Sequence, residues 1–161
     1  MYAAYGSKHD LYLKALERYG AHEATKAQQG LADTGPALPA LRDFLLSYVD
    51  AALADPERTG CMVTHGVMER VPGDVEAAQR LRTALGSLEE TFFELLLRAR
   101  TSGELTPGTD VRSAARFMVT FTQGLRVMEK AADRSYLTQA VDQALKAFPR
   151  SLGQSGSPTG G

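Results

Sequence analysis

Residues 74–103 read DVEAAQRLRTALGSLEETFFELLLRARTSG. Ala78, Leu81, Leu85, Leu88, Phe92, Leu95 and Ala99 follow one another by three or four residues, the period of one face of an α-helix. Phe93, Leu96 and Leu97 widen that face in its second half. A stripe broader than a two-position seam belongs to a helix packed among several neighbours. Asp74 supplies an N-cap and Gly103 a C-terminal stop. A helix of this length, apolar on one broad side, needs a bundle around it.

Working outward, the same period recurs on both sides. Ser7-Lys8-His9-Asp10 has the spacing of a capping box, and Tyr12, Ala15, Leu16 and Tyr19 begin a helix extending to about Gly30. The segment 31–39, with Gly35, Pro36 and Pro39, reads as a loop. Leu38, Leu41, Leu45, Tyr48, Val49 and Ala52 share the next face, which Pro56 and Gly60 end. A short helix runs from Cys61 to about Arg70, closed by Pro72-Gly73. Asp110 caps a helix carrying Ala114, Phe117, Met118, Phe121, Leu125, Met128 and Ala132. A last helix spans Ser135 to Phe148, with Leu137, Ala140, Val141, Ala144 and Leu145 on one side. The expected fold is all-α, an antiparallel bundle of about six helices.

Composition agrees. Among 161 residues, 43% hydrophobic and 23% charged, there is no Ile, no Trp and no Asn. Ala and Leu dominate, and the β-branched apolar residues reduce to scattered Val. One Cys excludes a disulfide framework and any multi-Cys zinc site within one chain. No apolar run reaches a membrane span and the start shows no signal-peptide core, so a cytoplasmic location is expected. Eighteen basic residues are interspersed with nineteen acidic ones, without the basic stripe of a nucleic-acid-binding domain. No nucleophile elbow, P-loop or paired-carboxylate motif is present, so no catalytic residue and no cofactor is expected. Cys61, His65 and Met68 recur at i, i+4 and i+7, but a buried Cys, a hydrogen-bonded His and a packed Met account for them without a metal.

The start of the chain carries a family resemblance. Met1-Tyr2-Ala3-Ala4-Tyr5-Gly6-Ser7-Lys8-His9-Asp10-Leu11 resembles the junction in tetracycline-repressor (TetR) family regulators. There a recognition helix ends in a Leu-Tyr-x-x-Phe type segment, and a Gly/Ser-Lys-Glu-x-Leu turn leads into the fourth helix. His9 departs from the usual Glu. Gly60-Cys61-Met62-Val63 looks like the start of that family's sixth helix. Gly103-Glu104-Leu105, Asp110, Ala115-Arg116-Phe117 and Gly124-Leu125 look like its seventh-to-eighth helix passage.

The resemblance implies a transcriptional regulator, here its effector-binding and dimerisation domain over 7–150. Residues 1–6 would be the remnant of a recognition helix and 151–161 a disordered tail. Most of the helix-turn-helix would lie before Met1, so DNA binding is expected only in an intact form. Tyr2 and Lys8 match positions that touch DNA phosphates, contacts that position a protein without specifying sequence. A small apolar or aromatic effector is expected among the third, fourth and fifth helices, at Met62, His65, Phe93, Met118 and Phe121. His65, Thr64, Thr122 and Gln123 are the candidate polar contacts. A homodimer is expected through the two C-terminal helices, at Gly124, Met128, Leu137, Val141 and Ala144. The competing reading is a stand-alone helical dimerisation or ligand-binding module without DNA-binding activity.

Overall fold

The computed structural model describes residues 6–32, 34–57 and 59–151. Over these the chain forms six α-helices: α1 (Lys8–Leu31), α2 (Ala37–Ala54), α3 (Met62–Glu69), α4 (Val75–Thr101), α5 (Val111–Met128) and α6 (Arg134–Lys146). Among the described residues no helix is long and apolar enough to cross a membrane.

The helix starts are set by side chains placed to accept orphan amides. Ser7 accepts from the Asp10 amide, Asp74 from Ala77, Asp110 from Ser113 and Asp133 from Tyr136. Gly103, at φ +83°, takes the left-handed turn that stops α4 after its Ser102 cap. The apolar part of α5 ends at Met128 rather than Ala132, because the chain turns there to reach the Asp133 cap.

α2 departs from the sequence reading. Pro39 is the third residue of this helix, not part of the preceding loop. Proline is tolerated in a first turn, where an amide would lack an intrahelical partner. The N-cap, Pro36, has no side-chain oxygen to offer. Glu104, in the α4–α5 loop, replaces it: its two carboxylate oxygens accept from the Ala37 amide at 2.7 Å and the Leu38 amide at 2.9 Å. A carboxylate here also opposes the positive end of the helix dipole. Glu104→Ala should therefore lower stability by about 1–2 kcal/mol, seen as a fall of roughly 2–8 °C in the thermal midpoint at the conversion for a chain of this size. Glu104→Gln, which can satisfy only one amide, should fall between.

α4 is the central helix, flanked by α1 and α5, and α2 packs on α6. The main core gathers Leu38, Leu41, Phe44, Leu45 and Val49 of α2 with Phe92, Leu95 and Leu96 of α4, Met118 of α5 and Leu137, Val141 and Leu145 of α6. Phe44 meets Phe92 edge-on at 6.2 Å. A second, smaller core joins Leu13 and Leu16 of α1 to Cys61, Val63, Ala77 and Leu81. On the far side of α6 the chain returns to the α4–α5 loop. There Thr106 N donates to the Pro149 carbonyl at 3.1 Å, and the Ser151 hydroxyl donates to the Leu105 carbonyl at 2.9 Å. Ser151, the first residue of the expected tail, is thus tied to the domain; 152–161 lie outside the described residues.

Candidate functional site: a polar cavity beside the α1–α4 crossing

α1 and α4 approach closely because small residues meet there. A Cβ on Gly20 would come within 3.1 Å of the Ala84 Cβ. On one side of this seam lies an open groove of about 470 Å³, lined among others by Ala21, Gln79, Arg80 and Thr83. On the other, α1, α2, the α3 N-cap, α4 and α5 enclose a cavity of about 30 Å³. Groove and cavity share Gly20, Ala24 and Ala84, so three small residues are the wall between them. A cavity of that volume holds about one or two waters.

The cavity wall is more polar than the cores on either side of it. Glu23, Tyr48, Cys61, Thr122, Gln123 and Arg126 line it, opposite Val63, Leu85 and Leu88. Arg126 is the dominant charge. Its side chain is 10% exposed, lies over the Tyr48 ring at 4.5 Å and donates one long hydrogen bond, 3.4 Å, to the Tyr19 hydroxyl. Its Nε faces the Glu129 carboxylate at 3.7 Å, too far for a hydrogen bond, and is itself without one. Lys26 stands at 5.0 Å from the centre of the same Tyr48 ring.

These neighbours shape the titration of the site. Burial would lower the Arg126 pKa, but Cys61, Glu129, Tyr19 and Glu23 outweigh it, so the guanidinium stays charged. Burial pushes Glu129 above the usual carboxylate range, against the pull of Arg126 and Lys130. Burial likewise raises Tyr19 and Tyr48. For Cys61 burial acts upward too, yet the Thr64 amide, Arg126 and the Thr64 and Tyr19 hydroxyls bring the thiol below its ordinary value.

The residues expected to hold a ligand are not gathered at this cavity. Met118 is fully enclosed in the main core. Phe93 is roofed by the Arg112 guanidinium at 3.9 Å, which Glu89 and Glu90 hold on the outer α4–α5 seam. Phe121 stacks on Phe117 at 6.2 Å. Met62 packs on the smaller core, and His65 lies by Gly60 and Lys130. The polar candidates fare differently: Thr122 and Gln123 line the cavity, and Thr64 donates to Gln123 Oε1 at 2.9 Å. Cys61 and Met68 do not share a face, since Cys61 is the buried α3 cap and Met68 is 58% exposed. Among the described residues no group of His, Cys, Asp and Glu is placed to hold a metal ion.

The sequence places Tyr19 and Tyr48 on helix faces without marking them as site residues, and it singles out neither Glu23 nor Arg126. A signal did exist on α5. Its buried face steps through Val111, Ala115, Met118, Thr122 and Leu125 to Glu129, so two polar residues sit where apolar ones are expected.

The model of the tetracycline-repressor-like C-terminal domain matches residues 37–148. The chain belongs to the TetR family of transcriptional regulators. A relative, the uncharacterized HTH-type transcriptional regulator YezE of Bacillus subtilis, is 33% identical over 151 residues, which are 92% of this chain and 77% of that protein. The regulatory protein TetR from Rhodobacter sphaeroides superposes with a TM-score of 0.83 over 91% of this chain and 79% of that one, at 20% identity. The TetR family regulator CifR, solved as a cysteine mutant with 26-base-pair operator DNA, superposes at 0.79 with 27% identity, covering 92% and 78% of the two chains. These relatives are regulators. The family match starts at the first residue of α2, after α1; Lys8 is exposed in the first turn of α1, and Tyr2 lies outside the described residues.

Proposed function

We propose that this chain is the effector-sensing and dimerising part of its regulator, and that the cavity around Arg126 is where a small molecule enters. One observation carries the reading: a nine-tenths-buried guanidinium lacking a hydrogen bond on Nε lines a cavity whose wall includes α1. α1 is also the helix on the path to any DNA-reading head preceding it. A cavity of about 30 Å³ is too small for an organic effector, so on this reading it must open to admit one. Entry then requires α1 to move from α4 at the Gly20–Ala84 seam. At its N-terminal end α1 is tied to the same helix, where His9 Nε2 meets Asp74 Oδ2 at 2.9 Å. An effector with higher affinity for the open arrangement shifts the population toward it, and only that difference in affinity does work.

Dimerisation is the second half of the proposal. α5 leaves Phe117, Val127 and Met128 exposed, and α6 adds Tyr136. Gly124 lies among them with nothing within 4 Å of where its Cβ would be. Exposed apolar side chains clustered on two neighbouring helices suit a self-complementary four-helix interface. Gly124 and Met128 remain in this proposed interface, whereas Leu137, Val141 and Ala144 do not, because they are buried within the protomer.

The cavity is tested by a thermal-shift screen of small apolar and aromatic compounds. A ligand at about one hundred times its Kd should add roughly 2.7 kcal/mol. Leu88→Phe puts a ring into the cavity and should abolish the shift caused by every genuine hit. Hits that survive Leu88→Phe would place the effector site elsewhere.

A further inference from the structure

We propose that the apolar hollow between the start of α5 and the end of α6 is filled by Tyr136 of a second copy of this chain, the two α6 helices lying antiparallel across the two-fold axis. This deepens the dimer reading above and rests on it. The hollow, of about 410 Å³, is walled by Ala114 and Phe117 of α5 and by Ala147, Phe148 and Pro149, with Asp110 also in its lining. Phe117 is 44% exposed and meets the buried Phe148 edge-on at 6.1 Å. Tyr136, 56% exposed, stands at the opposite end of α6. Eleven positions of helix separate it from Ala147 by about 16 Å, too far to fill the hollow of its own protomer.

The outer stripe of α6 sets the register. Tyr136, Ala140, Gln143 and Ala147 follow one another by four, three and four residues, a spacing that reads the same in both directions. Turned antiparallel about its midpoint, the stripe meets itself: Tyr136 against Ala147 and Ala140 against Gln143, each twice. A parallel pairing would set Tyr136 against Tyr136 and leave both hollows empty. Charge favours the same arrangement. α6 opens at Asp133, and Lys146 and Arg150 stand at its other end, all three exposed. The remaining charges of the helix are already engaged, Arg134 by Asp50 and Asp142 by Arg42. Antiparallel pairing brings the acid of one copy toward the bases of the other at both ends. Tyrosine also suits the walls. Its ring takes the apolar contact of Ala114, Phe117 and Phe148, and its hydroxyl can donate to the Asp110 carboxylate. Those oxygens accept from the Ser113 amide and hydroxyl and have acceptor capacity left.

Cross-linking on the full chain reads the register. Tyr136→Cys together with Ala147→Cys should give a disulfide-linked dimer on mild oxidation, and peptide mapping should join position 136 of one chain to position 147 of the other. Either substitution alone should give no link, because like positions then lie about 16 Å apart and a disulfide needs Cα atoms within about 7 Å. Tyr136→Ala removes an exposed side chain and spares the protomer. It should raise the dimer dissociation constant at least about thirtyfold, the scale of an interface anchor, and Tyr136→Phe should raise it less. A dimer whose double variant stays unlinked, one linked by Tyr136→Cys alone, or one indifferent to Tyr136→Ala overturns the assignment of the hollow while leaving the α5–α6 dimer in place. An unaltered chain that sediments as a monomer at high micromolar concentration overturns the dimer reading itself, and this inference with it.

Discussion

Val141→Glu is expected to unfold the protomer. The periodicity of the last helix suits two arrangements equally, a face turned to a partner subunit or a face turned inward, and the sequence reading assigned it to a partner. In the structure Val141 and Leu137 are fully buried in the protomer's own main core, and Ala144 is 6% exposed. α6 is clamped over α2 by Arg42 and Asp142 at 2.7 Å and by Arg134 and Asp50 at 2.9 Å. A carboxylate at position 141 would have no cation or donor to meet it. Burying such a group costs several kcal/mol, against a total stability of about 5–15 kcal/mol for a domain. Circular dichroism at 25 °C should show loss of helix, or a melting transition lowered by at least about 10 °C. A variant that keeps the parent melting curve and merely becomes monomeric would show that this face of α6 is turned outward.

Gly124→Arg should do the reverse, dividing the dimer and sparing the protomer. The site is open space on the exposed side of α5, between Phe117 and Met128. Replacing glycine within a helix removes about 0.5–1 kcal/mol of unfavourable backbone entropy, so the isolated protomer should melt no lower than its parent. Across a two-fold axis the same substitution sets two guanidinium groups into one apolar contact. A centrally placed disruption of this kind costs roughly 2–4 kcal/mol of association, a shift of about thirtyfold to a thousandfold in the dimer dissociation constant. Sedimentation velocity over a dilution series measures it. An unchanged mass at every concentration would move the interface away from α5.

Much of the candidate site was out of reach of periodicity for a physical reason. The wall residues come from several helices: Glu23 from α1, Tyr48 from α2 and Arg126 from α5, with Cys61 capping α3. Nothing in the local spacing of any one helix says that they converge. Only the α5 portion left a trace, Thr122 and Glu129 on an otherwise apolar face, since a polar residue on a buried stripe requires partners from elsewhere. The Met and Phe side chains that looked like pocket walls became core filling or seam covering, because large apolar groups are consumed first by packing.

What the sequence determined by itself was the set of helices and most of their ends. Those depend on interactions within a few residues, such as Ser7 with the Asp10 amide or Asp110 with that of Ser113, and on a period of 3.6 that any neighbour would satisfy. Its junction residues also pointed to the family. The tertiary structure alone decided which apolar face of α6 meets α2, that Glu104 caps a helix 66 to 67 positions away in the chain, and that Gly20 and Ala84 bring α1 against α4 beside a buried Arg126. Each of these is a contact between segments distant in sequence. Their choice rests on the simultaneous filling of two adjoining cores by the six helices, a condition that no single stretch of chain expresses.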